Sequence, residues 1–157
     1  MRKMVLIQSK AIIGWTVSRC KDVKWKPPIV GLFKINTDAA VDEFNGRTSI
    51  GVIIRDCHGL VMASCAQGFK ASYSPPIAEA LAILRGLRLI IDSRLVPVRL
   101  ESDVKSIVNI VLANFATLSE IRIVIEEILF LLQLHHGFSL DFIPKLANQV
   151  AHRLVKF

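Results

Sequence analysis

At 157 residues, 52% of them hydrophobic, the chain has the size of one domain and enough apolar material for a sizeable core. Its formal charge of +7 is gathered at the start, where residues 1–30 hold seven basic side chains against Asp22 alone, and the rest is nearly balanced. No apolar run reaches the roughly 18 uninterrupted residues of a membrane span, because the longest, around Ile121–Leu134, carries Arg122, Glu126 and Glu127; a soluble domain with no membrane partner is expected.

Residues 1–24 read as a basic leader without ordered structure, either a solvated arm or a non-specific phosphate contact. Its lack of acids through residue 21 faintly resembles a transit peptide, but Met1–Cys20 has no amphipathic period, so a nuclear or cytoplasmic site is expected ahead of an organelle. Cys20, Cys57 and Cys65 match neither a zinc site nor a disulfide framework, which points to reduced thiols in an intracellular protein. Trp25-Lys26-Pro27-Pro28 denies helix and brings the chain in extended, opening a domain over 25–157. Gly31–Ala39 alternates as a strand, with Phe33 and Ile35 on one face and Lys34 and Asn36 on the other.

After a polar turn at Asp42–Arg47, the β-branched run Thr48–Arg55 predicts a second strand, and Asp56-Cys57-His58-Gly59 a turn into a third at Leu60–Phe69. The period then changes: Ile77, Leu81, Leu84, Leu87 and Ile91 recur at helical spacing behind Ser74-Pro75-Pro76. Val96–Leu100 is a short strand, after which Ser102 or Asp103 caps a helix with Ile107, Ile110 and Val111 on one face. Ser119–Leu134 is a further helix striped by Ile121, Ile125, Ile128 and Leu132, followed by a strand at Phe138–Ile143 and a last helix from about Ala147. The order β-β-β-α-β-α-α-β-α predicts an α/β domain, a mixed sheet flanked by helices.

Three acids fall at informative places in that order. Asp38 closes the first strand, Glu79 lies in the first turn of the first helix, and Asp103 stands where the fourth strand gives way to a helix. Singly, each has an ordinary explanation as a turn, helix-end or capping residue. If the fourth strand runs parallel beside the first, however, Asp38 and Asp103 share one end of the sheet and Glu79 points down to them. A cluster of hard oxygen donors suits Mg²⁺ or Mn²⁺, and two such ions activate water and stabilise a leaving phosphodiester oxygen. Asn36, two residues before Asp38, shares its face, whereas Glu101 is expected to meet solvent.

The stretches W-x-P-P before Gly31, KINTDAA, GVIIRDCHG, AEALAILRGL, LESDVKSIV and IPKLANQVAHRL, spanning about residues 25–156, are similar to type 1 ribonuclease H domains. They most resemble the reverse-transcriptase-like ribonuclease H domains of plants, related to retroelement polyproteins. The resemblance implies a five-stranded mixed sheet, two divalent ions on Asp38, Glu79 and Asp103, and hydrolysis of the RNA strand of an RNA–DNA hybrid. It implies a fourth acid four residues after Asn148, where this chain has His152. An imidazole there retains a possible ligand but removes a charge, so Mg²⁺ affinity should fall; the site then either favours Mn²⁺ or serves as a weakened binding or interaction module.

Neither the mobile histidine loop nor the basic protrusion of the bacterial enzymes has a counterpart here, leaving Lys145, Arg153, Lys156 or the leader to grip phosphate. Asn36, Ser102, Lys145 and Asn148 are the candidate nucleic-acid contacts of a domain expected to act as a monomer. His135 and His136 read as helix-end residues, and Cys57 and His58 as turn residues. The end at Phe157, about ten residues into the last helix, suggests a piece of a longer polyprotein.

Overall fold

The computed structural model describes residues 24–113 and 120–156, so the leader before Lys24, with Cys20, and the expected helix start at Ser119 lie outside the described residues. Alternating apolar runs form three antiparallel strands, β1 (Phe33–Asp42), β2 (Arg47–Arg55) and β3 (Val61–Phe69). Aspartates organise both hairpin turns. Asp42 accepts from the backbone and side-chain N–H of Asn45, at 3.0 and 2.6 Å, and Asp56 Oδ1 accepts from the N–H groups of His58 and Leu60 at 2.8 and 2.9 Å. Gly46 and Gly59 supply the positive φ angles that these turns require.

The chain continues through α1 (Pro75–Ser93), β4 (Val98–Ser102), α2 (Lys105–Ala113), α3 (Arg122–Leu134) and β5 (Phe138–Phe142). A 3₁₀ turn at Lys145–Asn148 then leads into α4 (Gln149–Leu154). The strands lie in the order β3-β2-β1-β4-β5, with β4 parallel to β1 and β5 parallel to β4. This is the five-stranded mixed sheet expected from the sequence.

Several boundaries move for identifiable reasons. β1 runs on to Asp42 because β2 keeps pairing with it, so Asp38 sits within a strand and opposite Gly51 rather than at a strand end. β4 begins at Val98, not Val96, since Pro97 has no N–H to donate and its carbonyl instead accepts from Phe33. α2 starts at Lys105, so neither Ser102 nor Asp103 caps it directly; the Ser102 hydroxyl accepts from Val104 N–H, two residues on. α3 begins at Arg122, and the last helix opens as a 3₁₀ turn behind Pro144, becoming α-helical only at Gln149.

The two faces of the sheet carry different layers. Ile35, Val52, Ile54 and Leu100 meet Ile83, Leu87 and Ile90 of α1, with Ile107, Ile125 and Ile128 of α2 and α3 behind, all buried. Each such side chain contributes about 1.5–3 kcal/mol through burial. At Gly86 the helix comes so near that an added Cβ would lie 3.0 Å from Thr37 Cγ2 and 3.3 Å from Ile35 Cγ2. On the opposite face α4 crosses β1 and β2, and a Cβ on Gly51 would lie 2.9 Å from Leu154 Cβ and 3.0 Å from Ala151 O. A methyl group on Gly51 would force α4 away, whereas one on Gly86 would crowd the Thr37 and Ile35 methyl groups, which must then give by a few tenths of an ångström.

Candidate metal and nucleic-acid site

Alternation along β1 turns Ile35 and Thr37 toward α1, and Asn36 and Asp38 toward α4. The parallel register pairs Thr37 with Ser102, so the next residues, Asp38 and Asp103, come side by side where β4 ends. Glu79 stands one turn into α1 rather than in its first turn, near enough to feel the charges of Asp38 and Asp103. From α4, His152 brings Nδ1 to 2.7 Å from Asp38 Oδ2. Asn148 Nδ2 bridges the Thr37 carbonyl at 2.8 Å and Asp103 Oδ1 at 3.1 Å, tying the Asp103 loop to β1. The four residues singled out in the sequence are thus carried by β1, α1, the β4–α2 loop and α4 to the neighbourhood of Asp38.

The charges there are poorly compensated. Burial pushes the Asp38 carboxyl above its usual range; the hydrogen bond with His152 opposes this, and the neighbouring Asp103 charge adds to it. Glu79 is pushed up to about 8, first by burial and then by the charges of Asp38 and Asp103, with Lys145 a weaker opposing influence. Glu79 Oε2 is buried without a hydrogen-bond partner. Among the described residues, no three or more His, Cys, Asp or Glu side chains are set closely enough to enclose an ion as they stand. The carboxylates feel one another's charge without converging on one point. Hard oxygen donors, an excess of negative charge and an unpartnered buried oxygen together fit a divalent cation.

The direction of the shifts has a consequence for stability. Folded Glu79 and Asp38 hold protons more tightly than in the unfolded chain, so without metal the domain loses stability as pH rises from the ordinary carboxyl range toward about 8. Glu79→Gln should flatten that fall and stabilise the metal-free domain at pH 8 by about 1–2 kcal/mol, the worth of roughly one pKa unit. Urea denaturation in chelator at pH 5.5 and 8 measures both; an undiminished slope in the variant would contradict the assignment.

Of the four candidate nucleic-acid contacts, Asn36, Ser102 and Asn148 lie in the interior, at 0%, 0% and 1% exposure, with side-chain hydrogen bonds to protein; Lys145 is exposed. Glu101, expected in solvent, is 3% exposed. Its register opposite Asn36 turns it inward, where it accepts from Asn36 Nδ2 and Trp25 Nε1, both at 2.9 Å, and pairs with Lys34 Nζ at 2.7 Å. Arg55 donates to Asn36 Oδ1 at 2.6 Å, and its guanidinium lies 3.4 Å from the centroid of the Trp25 ring.

Asn36 thus donates to the buried carboxylate of Glu101. The partnership of Trp25, Arg55 and Glu101 was not readable from spacing, since it depends on strand pairing. His135 ends α3, as expected, and stacks on Phe138 at 4.7 Å. It borders a cleft of about 390 Å³ with Val96, Pro97 and Leu134, at the end of the sheet away from Asp38.

Comparison with known proteins adds three findings. A family model described as "Reverse transcriptase-like" matches residues 36–157. An Arabidopsis thaliana protein named "Putative ribonuclease H protein" is 31% identical over 93% of this chain, which spans only 24% of that relative's length. Among solved structures, the N-terminal ribonuclease H domain of a Mycobacterium tuberculosis protein superposes with a TM-score of 0.70 at 16% identity, over 78% of this chain and 89% of its own. LC11-RNase H1, isolated from compost and solved with an RNA/DNA hybrid, superposes with a TM-score of 0.68 at 21% identity, over 78% and 92%. At those identities the superpositions establish the shared fold. No helix among the described residues is long and apolar enough to cross a membrane.

Proposed function

We propose, for this chain that belongs to the reverse transcriptase-like family of ribonuclease H domains, divalent-metal-dependent endonucleolytic hydrolysis of the RNA strand of RNA–DNA hybrids. One observation carries the reading: carboxylates from β1, α1 and the β4–α2 loop gather where β4 ends, with a buried, unpartnered oxygen on Glu79. The structural relative crystallised with an RNA/DNA hybrid lends the substrate class.

In this reading Asp38, Glu79 and Asp103 hold two Mg²⁺ or Mn²⁺ ions, with His152 as a fourth or outer-sphere participant. Such ions supply an activated water and neutralise the leaving oxygen of a phosphodiester. Asn148 keeps Asp103 in register with β1. Exposed Lys145, whose charge reaches Glu79, meets the substrate phosphate, with exposed Arg153 and Lys156 adding grip on the backbone. Choice of a hybrid over DNA rests on contacts to the 2′-hydroxyls, groups that DNA lacks. Because Asn36, Ser102 and Asn148 are interior, they serve that choice by shaping the floor beneath the substrate.

A second reading, a binding module with little or no turnover, is favoured by one feature, the imidazole of His152 at the fourth acidic position. Incubation with an end-labelled hybrid, and with double-stranded DNA and RNA of the same sequence, in Mg²⁺ and then Mn²⁺ tests both. Internal cuts in the RNA of the hybrid alone, faster in Mn²⁺, are expected. Salt-dependent binding of the hybrid without cuts in either metal would establish the second reading instead.

A further inference from the structure

His152 is the one member of the site whose part the chemistry of its donor atoms leaves open, because an imidazole can ligate an ion or hold another ligand. Its Nδ1 lies 2.7 Å from Asp38 Oδ2, a short, charge-assisted hydrogen-bond distance, and Asp38 is 4% exposed, with little freedom to turn away. The two nitrogens of an imidazole face opposite edges of the ring. With Nδ1 spent on Asp38, Nε2 points away from that carboxylate and from any ion the carboxylate holds.

We infer that His152 is a positioning residue that acts through Asp38: its Nδ1–H fixes one carboxylate oxygen, Oδ2, and so presents the other, Oδ1, to a divalent cation. This deepens the reading of the site given above and rests on it. Hydrogen bonds of this kind set the orientation of a ligand before the ion arrives, and their loss typically lowers metal affinity about 10–100-fold. The side chain of His152 is 25% exposed, so it is held by this bond and by the packing of α4 rather than by complete enclosure. An arrangement of this sort explains how an imidazole at that place keeps the site usable with one negative charge fewer.

Mn²⁺ binding to the whole chain, followed by electron paramagnetic resonance, separates the alternatives. In the unaltered protein, bound Mn²⁺ should give no electron spin-echo modulation from a directly coordinated imidazole nitrogen. His152→Ala should weaken Mn²⁺ binding about tenfold, and His152→Gln, whose amide can donate to Asp38, should recover part of the loss. A coordinated-nitrogen signal that vanishes in His152→Ala would overturn the inference by making His152 a ligand, and so would unchanged affinity in that variant. Failure of the wider reading looks different: the unaltered chain would bind no Mn²⁺, or Asp38→Asn would bind it equally well, and the inference would fall with it. The spin-echo measurement needs only the unaltered protein, so poor folding of a variant does not remove the test.

Discussion

Asp38→Asn should lower cleavage of an RNA–DNA hybrid by about a thousandfold or more, equivalent to roughly 4 kcal/mol of transition-state stabilisation, while leaving the domain as stable as before or more so. The two halves of that expectation have one cause. Asp38 is buried beside Asp103, and its charge raises the proton affinity of Glu79. An amide of the same shape retains an oxygen to accept from His152, removes one of three like charges and relieves the strain that a cation would otherwise relieve. Activity and stability should therefore move in opposite directions in one preparation, compared by hybrid cleavage in Mn²⁺ and by thermal melting at pH 8 in chelator. If the variant cut as fast as the parent, Asp38 would have no part in a metal site. A melting point lowered by many degrees would mean that the charge serves the fold.

The largest effect on folding is expected at a residue two positions before Asp103. Glu101→Ala should cost about 3–5 kcal/mol, the usual consequence of leaving a buried ionic partner alone. Arg55 is 8% exposed; burial works against its charge, and Glu101 offsets that penalty. Removing the carboxylate also leaves Trp25 Nε1 and Asn36 Nδ2 without that acceptor and takes away the ion-pair partner of Lys34. Replacing Arg55 and Glu101 together with leucine should cost less than the sum of the single changes, because neither charge is then stranded. Chemical denaturation of the parent, Arg55→Leu, Glu101→Leu and the double variant gives the comparison. Strict additivity would show that the two groups do not depend on each other.

Much of this architecture is legible in the amino-acid sequence, for reasons that differ between elements. The alternation of β1 and the helical spacing of Ile77, Leu81, Leu84, Leu87 and Ile91 are local patterns, although the buried face of α1 is turned so that Ile83 and Ile90 lie in the core with Leu84 and Leu87. Asp38 and Asp103 could be brought together because the crossover from β1 to β4 has one usual outcome, and the register of Thr37 with Ser102 follows it. The polar residues beside them were harder. Glu101 was expected in solvent because charge alone says nothing about which neighbours a strand will find, and Asn36 and Ser102 were expected to reach outward because they flank the site. Only the pairing of β1 with β4, and the return of Trp25 across the sheet, reveal that Asn36 and Glu101 belong to an interior network. The loop expected to cap α2 was missed for a related reason: Asp103 spends its oxygen on Asn148, forty-five residues away in sequence.

Gly86, on the sheet-facing side of α1, and Gly51, on β2 beneath α4, mark where the two helices that bear on β1 come close to the sheet. Glu79 rides on α1, seven residues before Gly86 and so on the same side of that helix, whereas His152 rides on α4, among the residues that close over Gly51. The spacing around Asp38 is therefore set from both faces of the sheet, at two positions that bear no chemistry. A single methyl group at either would alter that spacing by a few tenths of an ångström and leave every acid in the sequence untouched. In chains of this kind, the gauge of the site is written in its glycines as much as in its aspartates.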